Sequence, residues 1–102
     1  LKVRYTRAAL ADLVGIGAYV GAHYPAISTR VRNRIRSVVA LIAGHLFIGT
    51  ATDHPSIRRM TASPYPYLVF YEIGQNEVIV HAVRHAAQQS YAMSDPTSDP
   101  VK

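Results

Sequence analysis

The stretch YLVFYEIGQNEVIVHAVRH, residues 67–85, holds two apolar runs separated by Gly-Gln-Asn. Aromatic and β-branched residues dominate both runs, and glycine followed by a polar pair is the chemistry of a tight hairpin turn. The pattern predicts strands over 67–73 and 77–84. The second run ends in Arg84 and His85, with His81 four residues earlier.

Upstream, SIRRMT (56–61) is short and β-compatible, which makes a third strand and an antiparallel meander. HLFIGTATDHPS before it reads as a loop. Two helical patterns precede that loop. From Arg7 to His23, Leu10, Leu13, Val14, Gly17, Val20 and Tyr24 recur at helical spacing, with Thr6 placed to cap the first turn. Gly17 and Gly21 lie one turn apart, which implies close approach by another helix. Pro25 breaks the chain. From Ala26 to Ala43, Ile27, Val31, Ile35, Val38, Leu41 and Ile42 form an apolar stripe, and Gly44 stops the helix. Arg30 and Arg34 flank one side of the stripe; Arg32 and Arg36 flank the other. LKVRYT at the start alternates Val3 and Tyr5 against Lys2 and Arg4, as a short strand does. The order predicts an α+β fold: an N-terminal strand and an antiparallel helical hairpin packed on a three- to four-stranded antiparallel sheet.

With 102 residues the chain suits one domain, expected over residues 1–91, followed by a mobile polar tail at 92–102. Cysteine is absent, which excludes a disulfide framework and thiolate chemistry. LVGIGAYVGA (13–22) is too short and glycine-rich to span a membrane, and no signal-peptide pattern precedes the first strand. The net charge is +5, from 11 Lys and Arg against 6 Asp and Glu. That excess favours nucleic acid or an acidic protein segment as a partner, and by itself does not separate them.

Both faces of the predicted sheet are apolar. Leu68 and Phe70 point one way; Tyr67, Val69 and Tyr71 point the other. On the last strand Val78, Val80 and Ala82 oppose Ile79 and Val83. One helical hairpin covers one face, so the C-terminal segment or another chain is expected to cover the second.

His81 and His85 match H-x-x-x-H, but on a strand residues four apart stand roughly 13 Å from each other, too far for one zinc ion. No metal or cofactor is expected. Ser56 and Ser63 lack an evident base with an orienting carboxylate, and no glycine-rich phosphate loop is present. Metal-free RNA cleavage needs a base, phosphate-binding cations and an acid. Arg58, Arg59, Arg84, His85, Tyr71 and Tyr91 are residues of the types it would use. The same mixture suits protein recognition.

IRRMTASPYPYLVFYEIGQNEVIVHAVRHAAQQ, residues 57–89, resembles the C-terminal half of ParE-like toxins in the RelE/ParE superfamily, also called the plasmid stabilisation family. The resemblance extends over residues 2 to about 89. Its most specific part is the ordered run of RR, SPYPYLVFYEI and VRHAAQQ. It implies a toxin of a bacterial type II toxin–antitoxin pair, cytoplasmic, that inhibits DNA gyrase by binding. It also implies neutralisation in a hetero-oligomer by a ParD-like ribbon-helix-helix antitoxin, through which alone operator DNA is contacted. RelE-like relatives instead cleave mRNA. Such nucleases carry a basic centre and a further arginine after the last strand, whereas Ala86 and Ala87 follow His85 here and residues 37–57 contain no Lys or Arg. No catalytic residues are therefore assigned; a nuclease would use Arg59, Arg84, His85 and Tyr91. Antitoxin contacts are expected from Leu13, Tyr19, Arg30, Arg34, Tyr67 and Tyr71, and target contacts from Arg58, Arg59, Arg84 and His85.

Overall fold

In a computed structural model, residues 1–88 are described; Tyr91 and the expected tail lie outside the described residues. Thr6 separates the first two elements, β1 (Lys2–Tyr5) and α1 (Arg7–His23). Its hydroxyl accepts the Ala9 N–H at 3.1 Å, satisfying one of the donors that a helix start leaves open. Pro25 cannot continue α1. A 3₁₀ turn, Pro25–Ile27, follows, and α2 starts at Ser28, two residues later than expected, and ends at Gly44. Next come β2 (Thr50–Ala51), β3 (Arg58–Thr61), β4 (Tyr67–Gly74) and β5 (Glu77–His85), then a 3₁₀ turn at Ala86–Gln88.

The class is α+β as expected, and the sheet is larger. It has five strands in the order β1-β5-β4-β3-β2. The β2 to β5 run is an antiparallel meander; β1 joins the far edge parallel to β5, with Tyr5 opposite Val80. β2 falls within the segment expected to be loop, because Thr50 and Ala51 find Arg59 and Arg58 as ladder partners. Gln75 and Asn76 form the β4–β5 turn. Asn76 takes φ 57°, a left-handed conformation that asparagine tolerates.

A β-bulge changes the faces of β5. Phe70 pairs with Ala82 while Tyr71 pairs with Val80, so His81 is an extra residue. Alternation inverts across it. Val78, Val80 and Val83 therefore share the helix-facing core with Tyr67, Val69 and Tyr71, while Ala82 joins Leu68, Phe70 and Ile57 on the other side. The expected placement of Val83 opposite Val80 is corrected by that one inserted residue. The second apolar face is closed as well: Leu68, Phe70 and Ala82 are all buried.

The helices contribute unequally. α2 buries Val31, Ile35, Val38, Val39 and Ile42, whereas α1 buries only Ala9 and Val20. A fully buried aliphatic side chain contributes about 1.5–3 kcal/mol, so α2 anchors the layer. On α1 the sequence stripe is only partly inside: Leu13 and Ile16 pack against the core, but Leu10, Val14 and Tyr24 are exposed. The two glycines do not mark tight helix contact. A Cβ at Gly17 would meet nothing within 4 Å, and one at Gly21 only the Ser28 hydroxyl at 4.0 Å.

Candidate partner-binding site

The exposed side of α1 and the neighbouring side of α2 form an apolar groove of about 330 Å³. Leu13, Val14, Ile16, Gly17 and Val20 line it from α1, Val31 and Ile35 from α2, and Tyr5 from β1. Arg32 and Arg36 stand at its α2 edge. Both are exposed. Val14 keeps 73% of its surface and Leu10 51%. An apolar trough beside two cations, on a helix pair with a well-filled underside, is suited to an amphipathic segment carrying carboxylates. Arg34 is used differently: its Nε donates to the Ser63 carbonyl at 2.7 Å, tying α2 to the β3–β4 connection.

A second cleft lies where β5 runs past the end of β1. Ladder pairing with β1 stops at Val80. Side chains from the α1 side take over: the Thr6 hydroxyl donates to the His81 carbonyl at 3.1 Å, and Asp12 Oδ2 accepts the Val83 N–H at 3.0 Å. Arg84 Nε is 3.7 Å from the same carboxylate oxygen, too long for a hydrogen bond, and is a buried donor without a hydrogen bond. Tyr19, Tyr67 and His85 line the rest of this cleft. Tyr67 meets the His85 ring edge-on at 5.5 Å. Burial holds the Tyr67 phenol above its ordinary range, and the neighbouring Tyr19 and Tyr24 add to that. It is a poor base at neutral pH. The His85 Nδ1 accepts the Ala87 N–H at 3.0 Å, so that lone pair is already engaged.

The third feature is the connection from α2 to β2. The buried Tyr71 hydroxyl donates to the Leu46 carbonyl at 2.8 Å and accepts the Gly49 N–H at 3.0 Å. Arg58 donates to the Gly49 carbonyl from Nε at 3.1 Å and from Nη2 at 2.7 Å, and Nη2 reaches the Phe47 carbonyl at 3.3 Å. Its Cζ lies 5.2 Å from the Phe47 ring centroid, within cation–π range.

Comparison with known proteins places this geometry. The family described as "ParE toxin of type II toxin-antitoxin system, parDE" matches residues 3–90. The chain belongs to the ParE toxin family. A Sinorhizobium fredii protein named "Putative toxin Y4kP" is 33% identical over 88 residues, 86% of this chain and 91% of that protein. A solved structure described as "Chromosomal ParDE TA system from P. aeruginosa" superposes with a TM-score of 0.73 at 18% identity, covering 83% of this chain and 95% of that one; it shares the fold. As a type II toxin this ParE-family chain has an antitoxin partner. Among the described residues no helix is long and apolar enough to cross a membrane.

Within this ParE-type frame the expected residues separate. Of those expected to meet the antitoxin, Leu13 lines the groove, Tyr19 and Arg30 are exposed, and Arg34 serves the β3–β4 connection. Tyr71 is 0% exposed and Tyr67 is buried, so Tyr71 has no surface to offer and Tyr67 little. Their side of β4 is the side α1 and α2 cover. Of the expected target contacts, Arg84 and His85 meet in the second cleft with Tyr19 and Tyr67. Arg58 does not join them, being committed to backbone carbonyls at the α2–β2 connection. Arg59 is exposed and is the next residue along β3, so it points to the opposite face of the sheet from Arg58. The sequence reading missed Val14, Arg32 and Arg36. Val14 read as core because helical periodicity does not distinguish a stripe facing the sheet from one facing a groove.

Proposed function

We propose that this ParE-family toxin inhibits DNA gyrase by binding, without catalysing a reaction of its own, and is neutralised by a ParD-like ribbon-helix-helix antitoxin in a cytoplasmic hetero-oligomer. What supports a binding role is the fate of the cations. Arg58 donates to carbonyls, Arg84 faces Asp12, and Arg59 points away from Arg58. Among the described residues these three arginines do not converge, so together they do not frame a place for a scissile phosphate. An antitoxin segment with apolar anchors and carboxylates is assigned to the α1–α2 groove, along Leu13 and Val14 and beside Arg32 and Arg36. Operator DNA is then contacted through the antitoxin, and no cofactor is required.

The test is direct. Purified toxin is titrated against gyrase and relaxed plasmid, and supercoiling and cleaved DNA are measured. Loss of supercoiling with accumulation of cleaved DNA is expected. Supercoiling that stays intact at large toxin excess refutes the gyrase reading.

A further inference from the structure

We propose that Phe47, with Ile48 beside it, is the apolar anchor by which the toxin grips its cellular target, and that the surface it enters is a protein pocket rimmed by carboxylates. The inference rests on the toxin reading above and adds the contact surface.

Phe47 is 71% exposed and Ile48 39%, and Leu41 at the end of α2 is also exposed. Single exposed apolar residues are ordinary. This one differs in how it is held. Tyr71 fastens Leu46 and Gly49 on either side, and Arg58 clamps the Phe47 and Gly49 carbonyls and lies against the ring. Gly49 leaves no slack: a Cβ there would fall 2.7 Å from the Arg59 carbonyl and 2.8 Å from the Tyr71 hydroxyl. A buried tyrosine and a half-buried arginine thus fix a connection that holds an aromatic side chain out to solvent. An aromatic anchor already fixed before binding loses little freedom on docking.

The surroundings select the partner's chemistry. Arg58 spends its hydrogen bonds on backbone carbonyls, which leaves an excess of positive charge against the Phe47 ring, and Asp53 is the single carboxylate in the sequence between Leu41 and Met60. A carboxylate-rimmed pocket complements that excess. Nucleic acid fits less well, because Arg58 is turned inward onto carbonyls and phosphate binding draws on several cations at once. Neither Phe47 nor Ile48 lines the α1–α2 groove, so target and antitoxin would meet different residues.

The experiment compares wild type, Phe47→Ser and Phe47→Leu. Each is induced in a bacterial host to score growth arrest, then purified to measure melting temperature, affinity for the cognate antitoxin, DNA retention and self-association. Phe47→Ser is expected to need at least about tenfold more protein for the same arrest, the loss typical of an anchor residue. Its melting temperature and antitoxin affinity should match wild type, and Phe47→Leu should restore most of the arrest. Arrest by Phe47→Ser at wild-type levels overturns the proposal. So does an equal loss of antitoxin affinity, a matching loss of DNA retention, or loss of a wild-type self-association, each of which gives the patch to another occupant. A wild-type chain that causes no arrest overturns the toxin reading, and this inference with it.

Discussion

Asp12 on α1 accepts the Val83 N–H of β5 at 3.0 Å, three residues past the last ladder pair between β1 and β5. A helix side chain does there what a neighbouring strand would otherwise do. The same carboxylate faces the buried Arg84 Nε. Asp12→Ala should therefore destabilise the fold by about 1–3 kcal/mol, the cost of leaving the Val83 N–H without its acceptor. Asp12→Asn keeps an acceptor and loses only a partly exposed ion pair, so its cost should be about 0–1 kcal/mol. Urea denaturation separates them; equal losses would mean that charge, not the hydrogen bond, is what matters.

Tyr71 governs the α2–β2 connection. Tyr71→Phe removes the partner of both the Leu46 carbonyl and the Gly49 N–H, and about 1–3 kcal/mol of stability should go with it. Amide exchange should accelerate at Gly49 more than at Val69 on the same strand as Tyr71. Gly49→Ala should cost about 1–3 kcal/mol by a different route, since the added methyl meets the Arg59 backbone carbonyl and the pinned hydroxyl. Unchanged denaturation midpoints for both variants would show that the connection is held elsewhere.

The groove predicts which α2 arginines matter to the antitoxin. Val14→Asp should weaken the complex at least about tenfold, as removal of an interface anchor does. Arg32→Glu with Arg36→Glu should weaken it by about tenfold together, since exposed ion pairs contribute about 0–1 kcal/mol each. Arg30→Glu should change little, and Arg34→Glu should act through its Ser63 contact on toxin stability. Titration calorimetry at low salt checks the order. A dominant effect of Arg30 would move the antitoxin to the other flank of α2.

The Arg4–Glu77 pair fastens β1 to β5 at the parallel edge, with Nη2 to Oε2 at 3.2 Å. Hydrogen bonding from Arg4, helped by its charge, holds the Glu77 carboxyl below its ordinary range. A lowered folded-state value means that the pair stabilises the fold above the ordinary carboxylate range and ceases to do so as pH falls through the depressed value. The melting temperature of wild type should accordingly exceed that of Glu77→Gln at neutral pH, with the gap closing on acidification. A gap independent of pH would remove the ion pair from the account.

Mapping RNA 5′ ends within minutes of toxin induction tests the alternative chemistry. The dispersed cations predict no new ends, in naked or ribosome-bound RNA. Cleavage lost in Arg59→Ala or His85→Ala would restore the nuclease reading.

Much of this was legible in the residues. Thr6 as a cap, Pro25 as a break, the α2 stripe, and the hairpin around Gln75 and Asn76 are local matters, settled by a few neighbouring side chains and the backbone conformations they permit. The ordered motifs of residues 57–89 also carried the family. What local pattern did not carry was the parallel docking of β1 on β5, the two-residue β2, and the bulge at His81, each of which depends on a partner strand distant in sequence. The bulge matters most, because one extra residue reverses the side on which every later β5 side chain lies.

The site shows the same division. By itself the sequence determined the residue types, the positive charge and the two amphipathic helices. Only the tertiary structure decided that Arg58 would clamp carbonyls beneath Phe47, that Arg84 would face Asp12, that Tyr71 would be sealed inside, and that Val14 would be left open in a groove edged by Arg32 and Arg36. The reason is physical: a side chain's role depends on what lies within a few ångströms of its polar or apolar atoms, and here those neighbours come from elsewhere in the chain.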